Sequence, residues 1–148
     1  MNSGMNTQTR QSDEWETPQW LFDALDHEFA FTIDGAATKE SAKCAKYATA
    51  QDTSNMDADW TDERVFCNPP YSDIETFVRR ALQTSAPRAS IAVLLLPVRT
   101  DSDWFRMLIE QEVELRWFRK RISFLENGIE QTSPRFTSLV AIVKGHTL

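Results

Sequence analysis

Apolar residues recur along this chain at two different periods, and the alternation between them outlines the fold. Leu21, Phe22, Leu25 and Phe29 fall at helical spacing. Thr17-Pro18 just before them has the form of an N-cap followed by a proline in the first helical position, so a helix of roughly ten residues opens there. Phe31-Thr32-Ile33-Asp34 alternates and stops at Gly35, as a short strand ending on an acidic residue does. Residues 37–61 keep no single period: 39–46 reads as helix, 47–49 as an edge strand, and 51–59 as a polar, acid-bearing connection. A strand is expected over 64–67. Ser72 with Glu75 then has the form of a capping box, and Ile74, Phe77, Val78, Ala81 and Leu82 share one face of a helix running to about Ser85, before Pro87.

The run 91–96 is continuously apolar, as in a central strand covered on both faces, and it ends at Pro97-Val98-Arg99-Thr100-Asp101. Trp104, Phe105, Leu108 and Ile109 mark another amphipathic helix, which Thr100 with Asp103 is placed to cap. Strands follow over 113–117 and 138–144, with no clear helix between them, and they are expected to pair as an antiparallel hairpin across a long loop. Strands joined by helices give an α/β fold with a compact, mostly parallel sheet, whose ligands bind beyond the carboxyl ends of the strands. Asp34-Gly35, residues 68–71 and residues 97–101 all lie at those ends, so three features converge on one crevice.

A chain of 148 residues fits one domain, here taken as 14–148 after a flexible tail at 1–13. Composition, at 41% hydrophobic and 26% charged, is that of a globular protein. Cys44 and Cys67 are far apart in sequence and cluster with neither histidine, which argues against a metal site or a disulfide framework and for a reduced, soluble, cytoplasmic protein. The longest apolar run is too short to span a bilayer. Net charge is −6, but residues 1–64 carry −8 and residues 65–148 carry +2. Four of the six residues 116–121 are basic (Arg116, Arg119, Lys120, Arg121) and are interleaved with Trp117 and Phe118. That pattern suits either a phosphate-and-base contact strip or a charge-protected strand edge.

The most informative stretch is Asn68-Pro69-Pro70-Tyr71, set in a strand-to-helix turn. Two prolines fix the backbone and supply no N–H, so the carbonyls of the turn are held as rigid acceptors. Beside them stand an amide that donates and accepts (Asn68) and an aromatic face (Tyr71), a combination suited to a planar heterocycle with an exocyclic amino group.

These residues resemble the signature of amino-group methyltransferases. The wider pattern resembles the phage-type DNA N6-adenine methyltransferases: Trp15-x-Thr17-Pro18, Asp34-Gly35-Ala36-Ala37, Cys44, Trp60, Asn68 to Tyr71, Pro97-x-Arg99-Thr100-Asp101 with Trp104-Phe105, and Arg121-Ile122-Ser123-Phe124. The resemblance implies a Rossmann-like fold, S-adenosyl-L-methionine as methyl donor and DNA as substrate, with the host cytoplasm as the site of action. It implies a donor site formed by Trp15, Thr17, Pro18, Asp34, Gly35 and Ala36, with Asp52 or Asp57 at the adenosine. The turn after the first strand is Asp34-Gly35-Ala36-Ala37-Thr38, in place of the Gly-x-Gly usual in broader methyltransferases. Asn68 and Pro69 would accept the two N6 hydrogens, Pro70 would hold the turn, and Tyr71 would stack a flipped adenine. Arg99, Arg116, Arg119, Lys120 and Arg121 would contact the nucleic acid. A short or relaxed target, read by the 124–137 loop and the basic strip, follows from the lack of room for a recognition domain, with the protein acting as monomer or homodimer. The alternatives are a protein glutamine or an RNA amine as acceptor, and a catalytically deficient relative that binds DNA only.

Overall fold

A computed structural model describes residues 15–83, 89–131 and 137–145. The expected tail at 1–13, the helix end near Ser85 and part of the 124–137 loop lie outside the described residues. In chain order the elements are α1 (Gln19–Phe29), β1 (Ile33–Asp34), α2 (Ala50–Ser54), β2 (Arg64–Cys67), a 3-10 turn (Tyr71–Asp73) and α3 (Ile74–Leu82). Then come β3 (Ile91–Pro97), α4 (Asp103–Glu110), β4 (Glu114–Trp117), β5 (Leu125–Glu126), β6 (Ile129–Glu130) and β7 (Ser138–Lys144).

Five strands form the central sheet in the order β1-β2-β3-β7-β4. β1, β2 and β3 are parallel neighbours, while β7 is antiparallel to both β3 and β4, so β7 alone runs against the other four. The sheet is therefore mostly parallel, as the sequence predicts, and 114–117 does pair antiparallel with 138–144. That pair is not an appendage, however: β7 inserts between β3 and β4, and its seven residues are matched along the whole of β3.

Alternate residues of β3 explain why the run 91–96 is apolar throughout. Ala92, Leu94 and Leu96 pack with Phe77 and Val78 of α3 and Trp104, Phe105 and Leu108 of α4. Ile91, Val93 and Leu95 pack on the other face with Leu21, Phe22, Leu25 and Phe29 of α1, together with Ile122 and Phe124. Among the described residues, no helix is long and apolar enough to cross a membrane.

Several local elements differ from those the sequence predicts. α1 starts at Gln19 with Pro18, not Thr17, as its N-cap and without a side-chain cap bond, and the chain before it is held by an isolated bridge between Glu16 and Leu125. Residues 39–46 are not helical: Thr38 and Ser41 exchange side-chain hydrogen bonds with each other's backbone N–H, and the Asp34 carboxylate takes the Lys43 N–H. Tyr47 makes a single parallel bridge to Asp34 and no more. Where the sequence places Ser72 as the cap, a 3-10 turn over Tyr71–Asp73 precedes α3 and Asp73 is its N-cap. α4 is capped by the Ser102 hydroxyl, which accepts from the Phe105 N–H at 3.2 Å; Thr100 has no part in it.

Candidate active site

β1, β2 and β3 end side by side, and each hands the chain to a segment that bears one of the sequence motifs. After β2, buried Pro69 and partly exposed Pro70 carry the backbone away from the sheet, and the Pro70 carbonyl is taken up by the Asp73 N–H at 3.1 Å, starting the 3-10 turn. The Asn68 side chain donates through Nδ2 to the Trp15 carbonyl at 3.3 Å, which leaves Oδ1 as its acceptor atom. Trp15 is itself held by rings: it stacks on Phe124 (centroids 5.7 Å apart, planes at 22°) and meets the edge of Tyr71 at 6.1 Å. Tyr71 also stands edge-on to Phe124 at 6.4 Å, and the Arg99 guanidinium, just past the end of β3, lies over its ring at 5.7 Å. Burial pushes the Tyr71 hydroxyl up to about 12, against the pull of the Arg99 charge, so the ring stays neutral at physiological pH.

After β1, the loop is organised by Asp34. One carboxylate oxygen accepts from the Ala36 N–H at 3.2 Å and the other from the Lys43 N–H at 3.1 Å. Burial raises the acid from an ordinary 3.8 to about 6, while the two backbone donors and the Lys43 charge oppose the rise. The carboxylate thus folds the loop back beside the strand end. Gly35 serves packing: a Cβ there would lie 2.8 Å from the buried Trp60 ring.

Between these loops lies a cleft of about 460 Å³, bounded by Trp15, Glu16, Thr17, Asp34, Ala36, Ala37, Thr38, Glu40, Ser41, Lys43, Thr49, Ala50, Phe66, Asn68, Pro70, Glu126 and Asn127. It brings together Trp15, Thr17, Asp34, Ala36, Asn68 and Pro70 from the residues singled out in the sequence. Pro18, Gly35, Asp52, Pro69 and Tyr71 are not among the described residues that line it. Asp52 is exposed on α2, where its N–H is capped by the Thr49 hydroxyl. Glu16, Glu40, Thr49, Phe66, Glu126 and Asn127 line the cleft without having been singled out. Of these, Glu126 and Asn127 carried a readable signal, the Asn-Gly turn at 127–128.

The basic strip divides. Arg116 is engaged by Glu28 through two 2.6 Å bonds and by Glu114 at 2.8 Å, and it lies over Phe29 at 5.4 Å. Arg119, Lys120 and Arg121 are exposed beyond the carboxyl end of β4.

A family model for "DNA N-6-adenine-methyltransferase (Dam)" matches residues 4–145, nearly the whole chain. The chain belongs to this DNA N6-adenine methyltransferase family. It is 31% identical over 130 residues to the DNA N-6-adenine-methyltransferase of Haemophilus phage HP1, covering 86% of this chain and 75% of that protein. Against the DNA N-6-adenine-methyltransferase of Escherichia phage T1 it is 27% identical over 146 residues, spanning 59% of that protein. A putative methyltransferase of Escherichia coli, YfdM, is 35% identical over 66 residues. No solved structure matches the chain significantly. Membership of the Dam family makes S-adenosylmethionine the donor to test against the cleft, and the lining fits it. The volume is in the range of small-ligand sites, Trp15 and Phe66 offer aromatic surface, and Glu16, Asp34, Glu40 and Glu126 put carboxylates around a ligand that carries sulfonium and ammonium charges.

Proposed function

We infer that this Dam family protein methylates the N6 amine of adenine in duplex DNA on a Rossmann-like scaffold, with donor and acceptor meeting in the cleft between the β1 and β2 loops. Trp15, Thr17, Asp34 and Ala36 would hold S-adenosylmethionine, and Glu40 and Glu126 extend that lining. When bound, the donor supplies an electrophilic methyl on a sulfonium. The remaining work falls to the chain itself. The adenine N6 lone pair is delocalised into the ring, and two acceptors drawn to its hydrogens release that lone pair and stabilise the charge developing on nitrogen. Asn68 Oδ1 and the Pro69 carbonyl are those acceptors, held by a proline pair that need not reorganise during the reaction. Tyr71, neutral and braced by Trp15, Phe124 and Arg99, provides a wall against which an extruded base rests. Arg119, Lys120 and Arg121 would meet phosphates.

The observation that carries this reading most strongly is that Asn68 and Asp34 line one cleft, the first with its amide N–H already committed to Trp15 and its oxygen available. Incubation of the protein with unmethylated DNA and methyl-labelled S-adenosylmethionine, followed by nucleoside analysis, tests it. Label in N6-methyladenine is expected; label in protein or RNA alone, or none, overturns it.

A further inference from the structure

The small hairpin β5–β6 has a feature that the methyl-transfer machinery does not use. Its turn residues Asn127 (φ 52°) and Gly128 (φ 79°) are both left-handed, the geometry of a tight two-residue hairpin turn whose twist matches its strands. The base of the hairpin is fixed to the site: Glu16 and Leu125 exchange both backbone bonds (2.5 and 2.8 Å), and the Gln131 N–H bonds the carbonyl of Phe124, the buried ring that stacks on Trp15. Glu126 and Ile129 are direct partners across the hairpin and so project from the same face. Glu126 lines the cleft, yet Ile129 is 69% exposed, the most exposed large apolar side chain among the described residues. A β-branched residue on a hairpin whose base is tied to the site, and exposed among the described residues, is placed to meet an apolar surface of the substrate.

We propose that Ile129 is a wedge that enters the base stack of duplex DNA beside the target adenine and fills the space the adenine leaves. The inference rests on the reading that the substrate is duplex DNA with the base extruded. Extrusion costs unstacking and unpairing, and an apolar side chain inserted at the vacated step recovers part of the lost stacking. The exposed basic residues Arg119, Lys120 and Arg121 precede the hairpin and are joined to it through buried Ile122 and Phe124. Phosphate contacts there would set the arm against the duplex.

The test uses the full chain and duplexes that carry the site mapped by sequencing plasmid DNA methylated by the wild type. The target adenine is either normally paired, placed opposite an abasic position, or replaced by fluorescent 2-aminopurine. Ile129→Ser is expected to reduce the 2-aminopurine fluorescence rise and to lower kcat/KM on the paired duplex by on the order of ten- to a hundredfold. On the abasic duplex it should stay within about threefold of wild type, because little extrusion cost remains. Ile129→Leu, which keeps the apolar bulk, should track the wild type on both, and S-adenosylmethionine affinity measured by calorimetry should be unchanged in both variants. Equal loss on the paired and abasic duplexes, no loss on either, or weakened donor binding (the hairpin covering the donor instead) would each overturn the wedge. A wild type that methylates neither duplex would remove the parent reading of the substrate itself, an outcome visible before any variant is made.

Discussion

The side-chain amide of Asn68 donates to the backbone carbonyl of Trp15 at 3.3 Å, across 53 residues of sequence. This bond turns the amide nitrogen toward Trp15 and so fixes which way the oxygen, the one acceptor atom of the side chain, is presented. Asn68→Asp keeps an acceptor but sets a second carboxylate oxygen against the Trp15 carbonyl, where it repels. Methyl transfer should therefore rank wild type above Asn68→Asp above Asn68→Ala, measured as single-turnover rates at saturating donor. An aspartate variant no better than alanine would mean that the Trp15 contact, not the acceptor, is what matters.

Asp34 gives the site a pH dependence. Its folded-state value of about 6 lies above the ordinary 3.8, so between the two the folded protein holds more protons than the unfolded chain. Stability from this group then falls as pH rises from about 4 to about 6, by at most about 3 kcal/mol. Asp34→Asn should flatten that segment of the urea-denaturation profile. A cationic donor favours the ionised acid, so wild-type donor affinity should weaken as pH falls through about 6, and the asparagine variant should lose that dependence. Parallel pH profiles for the two proteins would remove Asp34 from the donor site.

Gly35 is constrained by packing. An added Cβ would sit 2.8 Å from the Trp60 ring and 3.1 Å from Val65 Cγ1, and Trp60 is fully buried with the Arg80 guanidinium over its ring at 4.8 Å. Gly35→Ala should destabilise the fold by about 1–3 kcal/mol. Equilibrium unfolding in urea checks this, and an unchanged midpoint would show that Trp60 yields without cost.

Arg116 and its neighbours should separate in their salt dependence. The Arg116–Glu28 pair is exposed, at 42% and 46% of the two side chains, so solvent screens it and Arg116→Ala should cost less than about 1 kcal/mol of stability. It should leave the slope of log Kd for DNA against log salt unchanged. Arg119→Ala and Lys120→Ala should each reduce that slope by about 1. A reduced slope for Arg116→Ala would mean that DNA displaces Glu28.

The sheet was legible because burial on two faces writes a continuous apolar run, as in 91–96, and burial on one face writes helical spacing, as in Leu21 to Phe29. The position of β7 between β3 and β4 was not legible, since strand order depends on long-range pairing that no local period encodes. Residues 39–46 misled because their apolar spacing is weak and hydroxyl and carboxylate side chains compete for the backbone. In the site, Asn68 and Asp34 were recognisable by residue type at strand ends. Glu16 and Glu40 were not, because an acid on an irregular segment carries no local sign of which cavity it faces. The β5–β6 hairpin had a local sign, Asn127-Gly128 between apolar positions, but its two-residue strands are too short to write a period of their own.

Replacement of Asn68 by alanine, with donor binding, DNA binding and single-turnover methyl transfer measured on one preparation, tests the central claim most directly. Both dissociation constants should stay within about threefold of wild type while transfer falls at least about a hundredfold, the loss expected when one acceptor that acts on developing charge is removed. Undiminished transfer, or a loss matched by the loss of donor binding, would contradict the account.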